Sequence, residues 1–103
     1  MSVPTIQDPG QVFEIIESGN TVIIHYWPPW HGPQSPLQPM FEGVADGAGG
    51  ALQFYIVDSG FVHPEFSPDE MPLTVLYKDG EKVDTAPFDQ NATFDLIRKA
   101  ESL

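Results

Sequence analysis

The run Thr21–Tyr26, with the sequence TVIIHY, is the feature that most restricts the fold of this chain. Its residues are apolar or β-branched almost without interruption, and the one clearly polar ring in it belongs to His25. Continuous runs of this kind are typical of strands buried on both faces, as in sheets that helices cover on both sides. The sequence therefore predicts a central strand in a layered α/β structure.

One helix is predicted before this strand in the chain and one after it. Asp8 is a good capping residue, and apolar side chains follow it at helical spacing as far as a predicted end at residues 18–19. Residues 34 to about 45 carry a second apolar stripe, at i, i+3, i+4 and i+7. Pro36 fits the first turn of that helix, whereas Pro39 is predicted to lie deeper and to kink it.

The second half of the chain predicts strands and a last helix. Residues 46–51 are rich in glycine and predict a loop, and residues 52–57 predict another buried strand. Residues 73–77 and 82–85 form a predicted hairpin around a Lys-Asp-Gly turn. Asn91, although it begins an Asn-Ala-Thr sequon, is interpreted as the cap of a helix that ends in basic residues. The predicted fold is α/β, with one domain over residues 1–103 and a mixed four- to five-stranded sheet flanked by helices on both faces.

Charge and cysteine content exclude several classes of function. Fifteen acids against four bases give a formal net charge of −11, which repels phosphate backbones and anionic lipid headgroups. We therefore expect no nucleic-acid and no membrane partner, and the absence of a signal-like or spanning segment favours a cytoplasmic protein. The chain has no cysteine, which excludes disulfides, thiolate nucleophiles and cysteine-based metal sites. No cofactor is expected, and the three histidines, His25, His31 and His63, have no spacing that favours a metal site.

Five landmarks in the sequence occur in a recognisable order: VIIHYW, WHGPQ, Pro39, EMPLT and YKDGEKV. In this order and spacing the chain resembles the thioredoxin family over essentially its whole length. The resemblance implies the thioredoxin fold, with a cis peptide bond before Pro72. It also implies that His31 and Gln34 stand where the family has its nucleophilic and resolving cysteines, and that His25 replaces a buried aspartate.

These departures remove the chemistry of the family while leaving its frame. Disulfide exchange requires a thiolate that attacks and a second thiol that resolves the mixed disulfide, and imidazole and carboxamide groups do neither. The sequence therefore predicts a redox-inactive protein without catalytic residues. We expect His25 and Gln34 to be buried and to contact each other, because an unpaired buried imidazole would cost about 1–3 kcal/mol.

The surface that the resemblance implies is a shallow groove that receives an extended segment of another protein. Its residues in this chain are Trp30, His31, Gly32, Pro33, Met71 and Pro72. Exposed tryptophan and methionine are enriched in binding hot spots, which favours a retained protein- or peptide-binding function. Two alternatives stay open: a non-redox enzyme that uses His31 as base or nucleophile, and a self-associating scaffold, such as a homodimer formed through the same surface.

Overall fold

The computed structural model describes residues 3, 5–6, 8–27, 35–48, 52–57 and 72–103. In these residues the elements follow the order β1 (Thr5–Ile6), α1 (Pro9–Ile16), β2 (Val22–Tyr26), α2 (Gln38–Ala48), β3 (Gln53–Val57), β4 (Leu73–Lys78), β5 (Glu81–Pro87) and α3 (Gln90–Glu101). With two prolines and no clean period, residues 61–70 predict at most one short helix, and they lie outside the described residues.

The strands form one mixed sheet in the order β1-β3-β2-β4-β5. β2 pairs in parallel with β3 and antiparallel with β4, so it is the central strand, as its unbroken apolar run predicts. All five residues of β2 are buried. The sequence gives no signal for β1, because a strand of two residues is too short to show periodicity and forms only by pairing with Ile56 and Val57.

Helices cover both faces of the sheet, as predicted. On one face the core combines Val12 and Ile16 of α1 with side chains of the sheet such as Ile24 and Val75. On the other face Phe41 of α2 and Leu96 of α3 pack with their own set of sheet residues, such as Ile23 and Leu76. Neighbouring residues of one strand thus belong to different cores, because side chains alternate across a strand.

The described part of α2 differs from its prediction at both ends. The helix begins at Gln38, so Pro39 lies in the first turn and not deeper in the helix as predicted. Amide groups in the first turn have no intrahelical acceptor, so proline is tolerated there. The helix also continues through Ala48, where a loop was predicted. Glycine is unfavourable in a helix, but its cost at Gly47, about 1 kcal/mol, is too small to end the helix.

The hairpin of β4 and β5 is confirmed and has a two-residue turn. Asp79 and Gly80 both have positive φ angles, of 55° and 82°, as a type I′ turn requires. The register then shifts, because Leu76 pairs with Asp84 while Tyr77 pairs with Lys82. Val83 is therefore the extra residue of a bulge in this outer strand.

The cap of α3 is Asp89, so the prediction that Asn91 caps this helix is wrong. Asp89 has an extended backbone, and its Oδ2 accepts a hydrogen bond of 2.8 Å from the amide of Ala92. Asn91 lies in the first turn and is exposed. Both are good capping residue types, and only the point at which β5 ends decides which of them precedes the helix.

Candidate functional site

The described residues of the site suggested by the sequence lie at one end of the sheet, which we call the loop end. It is the end at which Tyr26, Val57, Leu73 and Pro87 lie side by side across four strands. Trp27 leaves the sheet here, and its amide donates to the carbonyl of Val57 at 2.8 Å. The chain enters β4 at this end through Pro72, which is half-buried.

The structure describes only part of the predicted site. Of the predicted residues, His25 and Pro72 are described, and they lie at or beside the loop end. The remaining predicted residues lie outside the described residues: Trp30, His31, Gly32, Pro33, Gln34 and Met71. The peptide bond before Pro72 involves one of them, so the predicted cis bond stays a prediction.

His25 is the polar centre of the described site. It is 1% exposed, and both nitrogens of its ring have a hydroxyl partner. Nδ1 lies 3.0 Å from Oγ1 of Thr74 on the neighbouring strand, and Nε2 lies 2.7 Å from Oγ of Ser35, just before α2. Thr74 and Ser35 are themselves buried. The hydrogen bonds therefore tie the central strand to β4 on one side and to the approach to α2 on the other.

The His25 ring and the hydroxyl groups of Ser35 and Thr74 form a hydrogen-bond network in which both ring nitrogens have a partner. The Ser35 hydroxyl oxygen also accepts from the amide of Leu37 at 3.2 Å, which leaves its proton free to bind Nε2. Nδ1–H then donates to Thr74, and the reverse tautomer satisfies the ring equally well. Among the described residues, no buried side-chain nitrogen or oxygen lacks a partner. The network satisfies the polar groups that the sequence places in an apolar core.

Burial lowers the pKa of His25 to about 4, because the charged imidazolium would lose its hydration in the core. The ring is therefore neutral at physiological pH. Its neighbours are aromatic as well as hydroxylic: Phe41 lies 5.0 Å away between ring centroids, and Trp27 is stacked at 6.0 Å. A neutral ring whose nitrogens are both bonded inside the core is not placed to exchange protons with a substrate.

An aromatic pair extends this site toward the surface. Trp27 is buried, with 6% of its surface exposed. The ring of Phe88, just after β5, lies 5.3 Å from that of Trp27, and Phe88 is 43% exposed. The site thus passes from a buried histidine through a buried tryptophan to an exposed phenylalanine.

Sequence reasoning missed three members of this site: Ser35, Thr74 and Phe88. We predicted a contact between His25 and Gln34, whereas the ring nitrogens of His25 bind Thr74 and Ser35, and Gln34 lies outside the described residues. Thr74 had a usable signal, because it is a hydroxyl residue in an otherwise apolar strand. Ser35 and Phe88 had none, because their roles depend on contacts between distant segments.

Comparisons with known proteins agree with this architecture. No family model matches the chain. The thioredoxin of Malassezia sympodialis is 32% identical over 87 residues, which are 81% of this chain and 83% of that protein. The chain belongs to the thioredoxin family. The solved structure of Malassezia sympodialis thioredoxin (Mala s 13) superposes with a TM-score of 0.79 over 96% of this chain and 90% of that one, at 30% identity.

Other thioredoxins agree at lower identity. Plasmodium falciparum thioredoxin superposes with a TM-score of 0.79 at 26% identity, covering 94% of this chain and 98% of that one. The chain is 26% identical to Thioredoxin M4, chloroplastic, of Arabidopsis thaliana over 88 residues, which are 82% of this chain but only 46% of that protein. The chain therefore spans about half the length of that relative.

Two further findings concern the described residues alone. They contain no group of three His, Asp or Glu side chains placed to hold a metal ion. None of their helices is long and apolar enough to cross a membrane.

Proposed function

We propose that this thioredoxin-family protein is a redox-inactive binding module, which holds an extended segment of another protein at the loop end without covalent chemistry. The proposed groove consists of Trp30, His31, Gly32, Pro33, Met71 and Pro72. The partner is a protein or an extended peptide, and the proposed location is the cytoplasm.

The observation that carries the proposal is the hydrogen-bond network around His25, in which both ring nitrogens have a partner. This residue stands where the family resemblance implies a buried aspartate that assists proton transfer. Here its nitrogens bind Ser35 and Thr74 inside the core, and its lowered pKa keeps the ring neutral. With no cysteine in the chain, neither thiol chemistry nor the proton transfer that supports it has a residue to carry it. Recognition of a protein segment needs neither.

The frame around the groove also supports binding. Trp27 and Ser35 border residues 28–34 in sequence and are held by the hydrogen bond to Val57 and by the His25 network. Leu73, which follows Pro72, is held by its pairing with Tyr26. Binding is stronger when the contacting groups are already held in place, because less conformational entropy is lost on association. In the proposed complex the ligand lies extended and pairs with the main chain at Met71, while Trp30 and Pro33 cover its side chains.

The test is selection of a peptide ligand from a random display library, followed by titration calorimetry of wild type, Trp30→Ala and His31→Ala. We expect Trp30→Ala to weaken binding about tenfold or more, as for a central aromatic contact, and His31→Ala to weaken it less. Failure of the library to yield a ligand, or equal binding by Trp30→Ala and wild type, would contradict the proposal.

Two further measurements address the other interpretations. In a dithiothreitol-driven insulin reduction assay we expect no rate above that without protein, and measurable catalysis would show that the chain is not redox-inactive. Sedimentation equilibrium tests self-association. A dimer that Trp30→Ala dissociates would show that a second copy, rather than another protein, occupies the groove.

A further inference from the structure

Of the exposed large apolar side chains that the structure describes, Phe88 is the one that contacts the candidate site. Among the described residues, three large apolar side chains are exposed: Val83, Phe88 and Leu103. Phe88 alone of these has its ring against Trp27, and it directly follows Pro87, which pairs with Leu73 next to Pro72. Phe88 therefore lies at the end of the sheet where Pro72, the described residue of the proposed groove, precedes β4.

The lysine and arginine side chains of the protein lie away from this site. All four basic residues are described: Lys78, Lys82, Arg98 and Lys99. Lys78 and Lys82 flank the hairpin turn at the opposite end of the sheet, where the ammonium of Lys78 lies 3.4 Å from Oγ1 of Thr21. Arg98 and Lys99 lie in the last turn of α3, whereas the first turn of that helix follows the loop end.

Negative charge is present at the loop end itself. Asp89 caps α3 two residues after Pro87, and Asp8 caps α1 two residues after the end of β1, which pairs with the loop end of β3. Each carboxylate accepts a backbone hydrogen bond at its helix start, so each is fixed in place. In the part of the chain that the structure describes, the loop end thus combines an exposed aromatic ring and two acids with no lysine or arginine, within a chain of net charge −11.

We infer that the ligand segment is cationic and that Phe88 covers one of its apolar side chains. The inference rests on the proposed function and specifies the partner: an extended stretch in which an apolar residue is flanked by lysine or arginine. The acids of the loop end attract such a segment and repel an acidic one, and no lysine or arginine of the protein lies at this end to oppose it. Phe88 offers the apolar contact that fixes the segment once it has arrived.

Three short acetylated and amidated peptides test the inference: leucine alternating with lysine, with serine or with glutamate. Binding of each peptide to the protein is measured from the fluorescence anisotropy of a fluorescein-labelled form of the peptide. The bound surface is mapped from changes in the amide chemical shifts of the protein in ¹H–¹⁵N spectra. We expect the lysine peptide to bind more tightly than the serine peptide, and the glutamate peptide to bind weakest. The shifts should centre on Phe88 and the ends of β4 and β5. Raising the ionic strength from about 20 to about 300 mM should weaken only the lysine peptide's binding.

Phe88→Ala and Val83→Ala form the matched pair of variants. The two side chains are similarly exposed, at 43% and 37%, but Val83 lies toward the hairpin turn. We expect Phe88→Ala to weaken binding of the lysine peptide about fivefold or more, and Val83→Ala to change it less than twofold, or about 0.4 kcal/mol. Phe88→Leu, which keeps an apolar side chain over Trp27, provides the comparison if the alanine variant loses thermal stability.

The outcomes separate this inference from the proposed function. Equal affinity for the three peptides, equal losses in the two alanine variants, or shifts spread over the acidic surface away from Phe88 would overturn the inference. If in that case the serine peptide still binds and Trp30→Ala abolishes its binding, the groove function stands and only the cationic partner is wrong. If no peptide binds at the loop end, the inference and the proposed function fail together.

Discussion

His25 and Thr74 lie directly opposite each other on β2 and β4, with Nδ1 of the histidine 3.0 Å from the threonine hydroxyl. The pair shows how this chain holds a polar residue at the position where the family resemblance implies an aspartate. Cross-strand neighbours on one face of a sheet are close enough to bond directly. A hydroxyl on the adjacent strand therefore supplies the partner that an imidazole in an apolar strand requires.

Thr74→Val tests the energetic value of this contact. Valine keeps the shape of threonine but leaves Nδ1 of His25 unpaired in the core, so we expect the free energy of unfolding to fall by about 1–3 kcal/mol. Urea denaturation at pH 7 measures it. Thr85→Val is the matched control, because Thr85 lies on the exposed strand β5, and it should change stability by less than about 0.5 kcal/mol. Equal effects of the two substitutions would show that the hydrogen bond contributes nothing.

The stability of the fold should fall in mild acid because of His25. Its pKa is about 4 in the folded protein against 6.5 when unfolded, so between these values the unfolded state binds more protons. The stabilisation is complete above pH 6.5 and is lost as the pH falls toward 4, by about 3 kcal/mol in total. The described groups that contact the ring, namely Ser35, Thr74, Trp27 and Phe41, carry no charge that could change this sign.

An NMR titration measures this pKa directly. The carbon-bound ring protons of His25 should show no change through pH 6.5, while an exposed histidine in a short peptide titrates there as the control. A midpoint near 6.5 for His25 in the folded protein would contradict the burial of the ring. Denaturation at pH 7 and pH 5 then relates the pKa to stability.

Asp89→Ala and Asn91→Ala distinguish the observed cap from the predicted one. Asp89→Ala removes the acceptor of the Ala92 amide and should lower the free energy of unfolding by about 1 kcal/mol, within a range of about 0.5–2. Asn91→Ala replaces an exposed residue inside the helix with a better helix former, so stability should stay equal or rise slightly. Thermal and urea denaturation measure both variants. A larger loss of stability for Asn91→Ala than for Asp89→Ala would show that Asn91 is the cap.

Two glycine substitutions should have opposite effects. Gly80 has φ of 82° in the hairpin turn, so Gly80→Ala should destabilise the protein by about 1 kcal/mol even though its Cβ would meet no atom closer than 4.0 Å. Gly47 is in the last turn of α2, and an added Cβ there has no neighbour within 4 Å. Gly47→Ala should therefore stabilise by about 0.4–1 kcal/mol, through helix propensity and reduced entropy of the unfolded chain. Paired denaturation curves measure the difference, and a stabilising Gly80→Ala would contradict the assigned turn.

Sequence alone determined the frame of this protein. The unbroken run of β2 indicated a central strand, the Lys-Asp-Gly stretch indicated the hairpin, and Asp8 indicated the start of α1. Each of these signals is local, because burial pattern, turn chemistry and capping depend on residues a few positions apart. The absence of cysteine, and with it the loss of thiol chemistry, is likewise a property of composition.

Only the tertiary structure decided which polar and aromatic residues form the site. Ser35, ten residues from His25, and Thr74, 49 residues away, become its partners because the sheet register and the approach to α2 bring three buried hydroxyl and imidazole groups together. Phe88 contacts Trp27 because β5 and β2 both end at the loop end of the sheet. A hydrogen bond or ring contact between distant segments depends on distances of a few ångströms, and sequence spacing does not encode such distances until the strands have paired.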